Sequence, residues 1–280
     1  MTLTAAPRLL LVHAHPDDET IGQGATMASY VARGTQVTLV TCTLGEEGEV
    51  IPDSLRGLAA DGADQLGGYR IGELRAACAA LGISDHRWLG GVGRWRDSGM
   101  AGTGANAHPR AFAGGDPAEQ AAELAEVIAE VGPQVVVTYG PDGGYGHPDH
   151  VRAHEVTMAA CGPGVGRVFF AVTSRRATEE GVAALAARDG LPFRLPAPGE
   201  LPVTDDEVIT TTIDTADVLS VKVEALAAHS TQVSVWQGPD GAQAYALSNG
   251  IAQPLPPAEY YLLGRGAGDG AATDLFGGLQ

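Results

Sequence analysis

Short apolar runs alternate with helical periods along the first part of the chain. Each run is continuous and rich in Val, Leu or Thr, as in strands that are buried on both faces of a sheet. The runs lie at 8–14, 35–44, 86–90 and 134–140. Helical periods lie at 19–34, 71–82, 116–132 and 151–162. This alternation predicts βαβ units and therefore a mainly parallel sheet.

Residues beyond 165 follow a less regular pattern. Strands are predicted at 167–174 and 207–214, a helix at 215–231, and a proline-rich surface connection at 191–202. We therefore expect an α/β fold of Rossmann-like, doubly wound type, with a mostly parallel sheet and a smaller, less regular C-terminal part. Residues 1–165 would form the metal-binding catalytic part. Residues 166–280 would complete its pocket within one compact unit.

The charge and the cysteine content limit the binding partners and the cellular compartment that we expect. The 280 residues carry a formal net charge of −17, which disfavours binding to nucleic acid or to an anionic membrane surface. No apolar run has the length of a membrane span, and "LLLV" is too short for the apolar core of a signal peptide. Cys42, Cys78 and Cys161 form no C-x-x-C pair and lie in apolar segments. Buried thiols in a reducing cytoplasm are expected.

Two charged segments follow the first and fourth predicted strands. "HAHPDDE" occupies 13–19 and "PDGGYGHPDH" occupies 141–150, and both contain "HPD". In a doubly wound sheet, ligands bind outside the carboxyl ends of the strands where the strand order reverses. If strands one and four are neighbours there, the two segments meet in one crevice.

Histidines and carboxylates in one crevice indicate a metal site. A catalytic zinc site takes three protein ligands and leaves one position open. The first segment can supply His15 and one of its three carboxylates, and the second can supply His150 or His154, which are four residues apart. We favour His150, because it lies at the mouth of the helix. A spare carboxylate could then act as general base in metal-assisted hydrolysis.

Simpler interpretations compete with this one. Asp17, Asp18 and Glu19 could only favour a helix N-terminus, and Asp149 could be a plain N-cap. Four other histidines are interpreted as structural or ordinary residues: His13, His86, His108 and His229. The polar loops 45–70 and 91–112 are long enough to be binding loops. "GQGATM" lacks the third glycine of a dinucleotide fingerprint, and no G-x-S-x-G or H-E-x-x-H occurs.

The motifs resemble a known superfamily. "AHPDDE" followed by "GYGHPDH" is similar to the zinc-dependent N-acetylglucosaminyl deacetylases of the LmbE-like/PIG-L superfamily. Within it, "TCTLGEEGEVI", "ADQLGGYRIGEL", "LGGVGRWRDSGMAG" and "ALAAHSTQV" resemble the N-acetylglucosaminyl-inositol deacetylases of mycothiol biosynthesis, the MshB group. The resemblance covers nearly the whole chain and is densest from 8 to 155. It implies a hydrolase that removes acetate from a small amino sugar.

The resemblance also implies a role for each matching residue. The metal would be one Zn²⁺ per chain, with Fe²⁺ or Co²⁺ as alternatives, held by His15, Asp18 and His150. Asp17 would be the general base toward the attacking water. Tyr145 would stabilise the oxyanion, while His147 would assist as a charged or proton-donating group tuned by Asp149. The sugar and inositol hydroxyls would be held by Glu49, Arg70 and Asp97.

Four other functions remain open on the sequence alone. A mycothiol S-conjugate amidase, or a deacetylase of another N-acetylated sugar, would share the metal site. A nucleotide-binding oxidoreductase on the same sheet would retain a cofactor and need no metal. A non-catalytic metal- or sugar-binding module would show no turnover.

Overall fold

The computed structural model describes residues 6–239 and 241–279. Its main sheet has seven strands in the order β3-β2-β1-β4-β5-β10-β6, and a second sheet has the order β7-β8-β9. The strands are β1 Arg8–His13, β2 Gln36–Thr41, β3 Asp85–Trp88, β4 Val135–Thr138, β5 Arg167–Val172, β6 Thr211–Asp214, β7 Ser234–Gln237, β8 Gln243–Ala246, β9 Gln253–Pro254 and β10 Ala258–Arg265. The helices are α1 Asp18–Ala32, α2 Leu66–Leu81, α3 Pro117–Val131, α4 Gly143–Gly146, α5 Pro148–Ala160, α6 Arg175–Ala186 and α7 Leu219–Ala228.

The parallel part of the main sheet has the predicted order. Strand β1 pairs in parallel with β2 on one side and with β4 on the other, so the order reverses beside β1. Strands β3 and β5 extend this arrangement in parallel. The α/β, mostly parallel fold is therefore confirmed, and the carboxyl ends of β1 and β4 lie side by side.

Strand β10 departs from this pattern. It pairs antiparallel with β5 and with β6, and so it joins the main sheet from late in the chain. The sheet thus takes strands from both sides of position 165. Helix α6 and the small antiparallel sheet β7-β8-β9 were also not anticipated from the sequence. Helix α2 begins at Leu66, ahead of the predicted start at 71.

The central strands are buried on both faces, as their continuous apolar runs predict. In β1, Leu9 and Leu11 belong to one hydrophobic cluster, while Leu10 and Val12 belong to the other. Helices α1, α2 and α7 cover the first face, and α3 and α5 cover the second. Successive side chains of a strand point to opposite faces of the sheet, so each layer of helices packs against the side chains of one face.

A buried arginine anchors residues 267–277 to the main sheet. Arg167 at the start of β5 is 1% exposed and donates to four backbone carbonyls. These are Ala267 at 2.6 Å, Asp269 at 2.7 Å, Leu275 at 3.0 Å and Gly277 at 2.7 Å. Because a buried charge needs compensation, this ring of carbonyls fixes the segment in place.

Two further predictions concern the whole chain. Cys42, Cys78 and Cys161 are buried and free, as expected. Within the part of the chain that the structure describes, no helix has both the length and the apolar character that a membrane span requires.

Candidate metal centre and active site

Three ligand atoms converge where β1 and β4 end. His15 and Asp18 follow β1, and His150 lies in the first turn of α5, shortly after β4. His15 Nδ1 lies 3.2 Å from Asp18 Oδ2 and 3.3 Å from His150 Nε2, and the latter two atoms are 3.4 Å apart. Ligands about 2.0–2.1 Å from a tetrahedral zinc ion lie about 3.3 Å from one another. These three atoms, from His15, Asp18 and His150, form a triangle with the dimensions of one face of a tetrahedral metal site. We call it the metal triangle, or the triangle.

In His15 and His150, the ring nitrogen that points away from the triangle (the outer nitrogen) lies close to a hydrogen-bond acceptor. His15 Nε2 lies 3.2 Å from Asp149 Oδ2, and His150 Nδ1 lies 3.1 Å from the carbonyl oxygen of Gly143. These acceptors assign the ring protons to the outer nitrogens. The lone pairs of the inner nitrogens then face each other beside the Asp18 carboxylate. When both rings are neutral in these tautomers, a divalent metal fits the space between the two lone pairs and the carboxylate.

Tyr139 supports two of the three ligands. Its hydroxyl donates to Asp18 Oδ2 at 2.7 Å and accepts from the backbone N–H of Ala14 at 2.8 Å. Its ring stacks on that of His150 with centroids 4.1 Å apart. This role was not predicted from the sequence, because Tyr139 looks like the end of an apolar strand. Its position immediately after β4, on the crevice side, is the only signal that could have found it.

His154, the alternative ligand, lies outside this cluster. Its Nδ1 bonds to the backbone oxygen of Tyr139 at 2.9 Å, and its ring packs against Phe170. The structure therefore brings His150, and not His154, to the other two ligands.

Two other groups of possible ligand atoms share His15. One ring nitrogen each of His15, His147 and His150 lie within 4.8 Å of one another, as do atoms of His15, Asp97 and Asp149. The second group meets His15 at Nε2, on the side away from Asp18 and His150. We interpret Asp97 and Asp149 as groups that orient the His15 ring. In the His15–Asp18–His150 triangle, all three separations have the values expected around a bound metal.

Asp17 has an unusual backbone conformation beside this triangle. Its φ is 101° and its ψ is −33°, a region that residues other than glycine rarely adopt. Although it is the N-cap residue of α1, its side chain caps no N–H of the helix. Its Oδ2 instead lies 3.2 Å from Arg70 Nη2. The plain helix-capping interpretation therefore does not hold for Asp17.

Burial makes Asp17 a suitable proton acceptor. It is 9% exposed, and desolvation raises its pKa to about 6, while the neighbouring Arg70 opposes the rise. A carboxylate with a pKa near the working pH can both be ionised and accept a proton effectively. Strain and a raised pKa at the same residue are typical of a functional site.

Comparison with known proteins agrees with this geometry. A family model described as GlcNAc-PI de-N-acetylase, PIG-L, matches residues 10–161. A protein of Actinosynnema mirum, named 1D-myo-inositol 2-acetamido-2-deoxy-alpha-D-glucopyranoside deacetylase, is 66% identical over all of this chain and 99% of its own length. A protein of Saccharopolyspora erythraea, the deacetylase 1 of that name, is 63% identical over 100% and 96%. This chain belongs to the PIG-L family of de-N-acetylases.

Solved structures support the fold of this PIG-L protein. A deacetylase–teicoplanin complex from teicoplanin biosynthesis has a TM-score of 0.54 and 19% identity, covering 91% of this chain and 97% of its own. The N,N'-diacetylchitobiose deacetylase of Pyrococcus horikoshii has a TM-score of 0.51 and 20% identity, covering 81% and 71%. At this level of identity the likeness concerns the architecture alone.

The other polar residues of the segment 141–150 lie around the triangle. His147 is the N-cap of α5, and its Nδ1 accepts from the backbone N–H of Asp149 at 3.2 Å. Burial, together with His15 and His150, lowers the pKa of His147 to about 4. The ring is therefore neutral at pH 7 with its proton on Nε2. Tyr145 is 55% exposed, and its ring centroid lies 5.0 Å from that of His150.

The Asp149 carboxylate lies against His15. It is fully buried and also accepts from the backbone N–H groups of Ser98 at 2.8 Å and Ala113 at 3.1 Å. The sequence associated Asp149 with His147, but the contact with the His147 ring comes from the backbone N–H. The carboxylate instead connects the His15 ring to the backbone of Ser98 and Ala113.

The three residues assigned to substrate lie at different depths. Glu49 is exposed, whereas Arg70 and Asp97 are 2% and 4% exposed. Arg70 donates to the backbone oxygens of Gly45 and Pro16 and pairs with Asp17. Asp97 Oδ1 lies 3.4 Å from His15 Nε2. The structure thus places Arg70 and Asp97 beneath the triangle, where they support Asp17 and His15.

A residue interpreted as ordinary also lies near the site. His229 is fully buried, and its Nε2 lies 2.8 Å from Glu19 Oε1. Burial opposes this charge pair, yet the pKa of Glu19 falls to about 2 and that of His229 rises. His229 lies within "ALAAHSTQV", far in sequence from Glu19, and only the tertiary structure reveals the pair.

Proposed function

We propose that this protein is a metal-dependent N-deacetylase that removes acetate from N-acetylglucosaminyl-inositol in mycothiol biosynthesis. The observation that carries the proposal is the triangle of inward lone pairs beside the strained, buried Asp17. The relatives named as deacetylases of this substrate match the chain over its whole length, which supports the substrate class. A small, neutral polyol also suits a protein with a formal net charge of −17.

The metal ligands in this proposal are His15, Asp18 and His150. Two imidazoles and a carboxylate suit Zn²⁺, and Fe²⁺ or Co²⁺ also accept this set. When bound, such an ion supplies Lewis-acid polarisation of a carbonyl and lowers the pKa of water. Asp149 holds the His15 ring in the tautomer that the metal needs.

The remaining groups move protons and bind the substrate. Asp17 takes one proton from the water that attacks the acetamide carbon. The Tyr145 hydroxyl donates to the developing oxyanion. Asp17 then passes this proton to the amine nitrogen as the C–N bond breaks, while the neutral His147 ring assists by donating a hydrogen bond from its Nε2–H to the reacting groups. The products are acetate and the free amine of glucosaminyl-inositol.

The loops beside Asp97 offer room for a hydroxylated ligand. A cavity of about 430 Å³ lies between loops 45–65 and 93–112, with Glu47, Asp64 and Arg96 in its wall. The backbone N–H of Glu47 donates to Asp97, which lies 3.4 Å from His15 Nε2, so the cavity wall is connected to the triangle through Asp97. We assign the inositol end of the substrate to this polar cavity, with the exposed Glu49 as a further contact.

Compartment and domain organisation complete the proposal. Three buried free thiols suit a reducing compartment, and we place the enzyme in the cytoplasm. We also propose that residues 1–165 carry the catalysis and that residues 166–280 complete the pocket.

Acetate release from N-acetylglucosaminyl-inositol tests the function. Zinc-loaded protein should release acetate, chelated protein should not, and added Zn²⁺ should restore the activity. Asp17→Asn keeps the shape of the side chain, and it should lower kcat by about 10²- to 10⁴-fold while one metal per chain is retained. Zinc-loaded protein that releases no acetate but cleaves a thiol-conjugate amide would instead be an amidase.

A further inference from the structure

The strained backbone of Asp17 needs something to hold it. An L-residue rarely occupies φ 101°, and such a conformation persists only where the surroundings over-determine it. We propose that Glu19 and His229 form a buried clamp that positions Asp17 for catalysis. The inference rests on the proposed function, since it concerns the general base of that reaction. Glu19 and His229 are positioning residues and do not touch the substrate.

The first half of the clamp joins Glu19 to the backbone of Asp17. Glu19 Oε2 accepts from the backbone N–H of Asp17 at 2.8 Å. A carboxylate in the first turn that binds the N-cap N–H satisfies a donor which the helix leaves free. The Asp17 side chain itself caps no N–H of the helix, so its carboxylate can face Arg70 while Glu19 holds its backbone.

The second half of the clamp fixes the other oxygen of Glu19. Glu19 Oε1 accepts from the Thr20 hydroxyl at 2.5 Å and lies 2.8 Å from His229 Nε2. Glu19 and His229 are both fully buried, and His229 directly follows α7. A carboxylate held at both oxygens cannot rotate away, so the Asp17 N–H has one fixed acceptor. The C-terminal part of the chain thereby reaches the general base.

A second buried ion pair, which joins α7 to β10 and bonds to the backbone of α1, provides a control. Lys222 Nζ lies 2.6 Å from Glu259 Oε1 and donates to the backbone oxygen of Ile21 at 2.8 Å. Glu259 also accepts from the backbone N–H of Thr26 at 2.7 Å. Both side chains are at least nine-tenths buried, but the contacts lie further along α1 than Asp17. Lys222→Met therefore disturbs the same helices without touching the clamp.

Kinetics of three variants separate positioning from general stability. Glu19→Met removes the acceptor of the Asp17 N–H and should lower kcat about 100-fold, with KM changed by less than about twofold. Glu19→Gln keeps an acceptor oxygen and should stay within about tenfold of wild type. Lys222→Met should lower the melting temperature but keep kcat. Equal loss of kcat in Glu19→Met and Lys222→Met at full metal loading would overturn the clamp.

A second pair of variants serves if Glu19→Met does not fold. His229→Leu removes the donor to Glu19, whereas His229→Gln keeps one. The first should lose more kcat than the second by about tenfold, at unchanged metal stoichiometry. If both His229 variants lose kcat equally, His229 does not act through its hydrogen bond.

A crystal structure tests the clamp independently of the substrate. In Glu19→Met, or in His229→Leu if the first does not fold, φ of Asp17 should leave the left-handed region and Oδ2 should move away from Arg70. A wild-type protein without deacetylase activity would refute the proposed function, while this structural change would still support the clamp. An unchanged Asp17 in the variant would refute the clamp even if the wild type is an active deacetylase.

Discussion

The Tyr139 hydroxyl donates to Asp18 Oδ2 at 2.7 Å, while the same ring stacks on His150. One residue at the end of β4 thus fixes a ligand from each of the two charged segments. The hydrogen bond leaves Asp18 one orientation, and the stacking limits rotation of the imidazole. Groups that orient metal ligands in this way contribute strongly to metal affinity.

Tyr139→Phe should weaken metal binding by about 10- to 100-fold while the chain remains folded. The lost hydrogen bond frees the Asp18 carboxylate, but the stacked ring is retained. Titration with Zn²⁺ against a competing chelator measures the change. Tyr145→Phe is the matched control, because Tyr145 touches the rim of the site and should leave the affinity unaltered. Equal affinities for wild type and Tyr139→Phe would contradict the assignment.

Metal affinity should fall as the pH decreases. In the metal-free protein, burial lowers the pKa of His15, but Asp97, Asp149 and Asp18 raise it well above 6.5. Binding must therefore displace a proton from His15, so acid competes with the metal. Calorimetry at pH 8 in buffers of different ionisation enthalpy should show proton release. An affinity that does not change between pH 6 and pH 8 would rule out His15 as a ligand.

Loss of the Arg70 charge should move the acid limb of activity to higher pH. Burial raises the pKa of Asp17 to about 6, and Arg70 opposes that rise. Without the guanidinium the pKa rises further, so the base becomes protonated at a higher pH. The profile of kcat/KM against pH for Arg70→Met should show this shift, and Arg70→Lys should show less of it. A shift to lower pH in Arg70→Met would be incompatible with this role.

Gly45→Ala should destabilise the protein and disturb Arg70. A methyl group there would lie within van der Waals overlap of the Arg70 guanidinium, and the φ of 67° is unfavourable for alanine. We expect the free energy of unfolding to fall by about 2 kcal/mol in urea denaturation. Gly22→Ala is the control, since Gly22 has open space inside α1 and alanine favours a helix by about 0.5–1 kcal/mol. If Gly45→Ala has the same free energy of unfolding as the wild type, the Arg70 side chain can adopt another conformation that avoids the added methyl group.

The sequence predicted the parallel half of the fold and the two segments that form the triangle. The strand order around β1 follows from short apolar runs joined by helices, and the crevice beside β1 follows from that order. Residue spacing favoured His150 over His154 but left the carboxylate open, and only the family resemblance specified Asp18. Helix α3 was equally clear, because Asp116 caps it, Pro117 begins it and Gly132 ends it.

Long-range contacts were not visible in the sequence. His229 lies in "ALAAHSTQV", but nothing in that string indicates its partner Glu19, which lies 210 positions away. Strand β10 joins the main sheet between β5 and β6, an arrangement that no local period specifies. Arg70 and Asp97 were predicted to hold substrate hydroxyls, but the structure buries them against Asp17 and His15, and this depth depends on how two irregular loops fold. Periodicity describes the elements, whereas these features depend on packing between distant elements.

The carbonyl ring around Arg167 has a consequence during synthesis on the ribosome. Arg167 is translated 100 residues before Ala267, the first residue of the segment 267–277 that supplies these carbonyls. Until residue 277 has left the exit tunnel, the guanidinium has no internal partners and must stay hydrated. The nascent sheet can therefore dock β5 against β4 only incompletely, and final closure of the first half of the protein must wait for the distal segment.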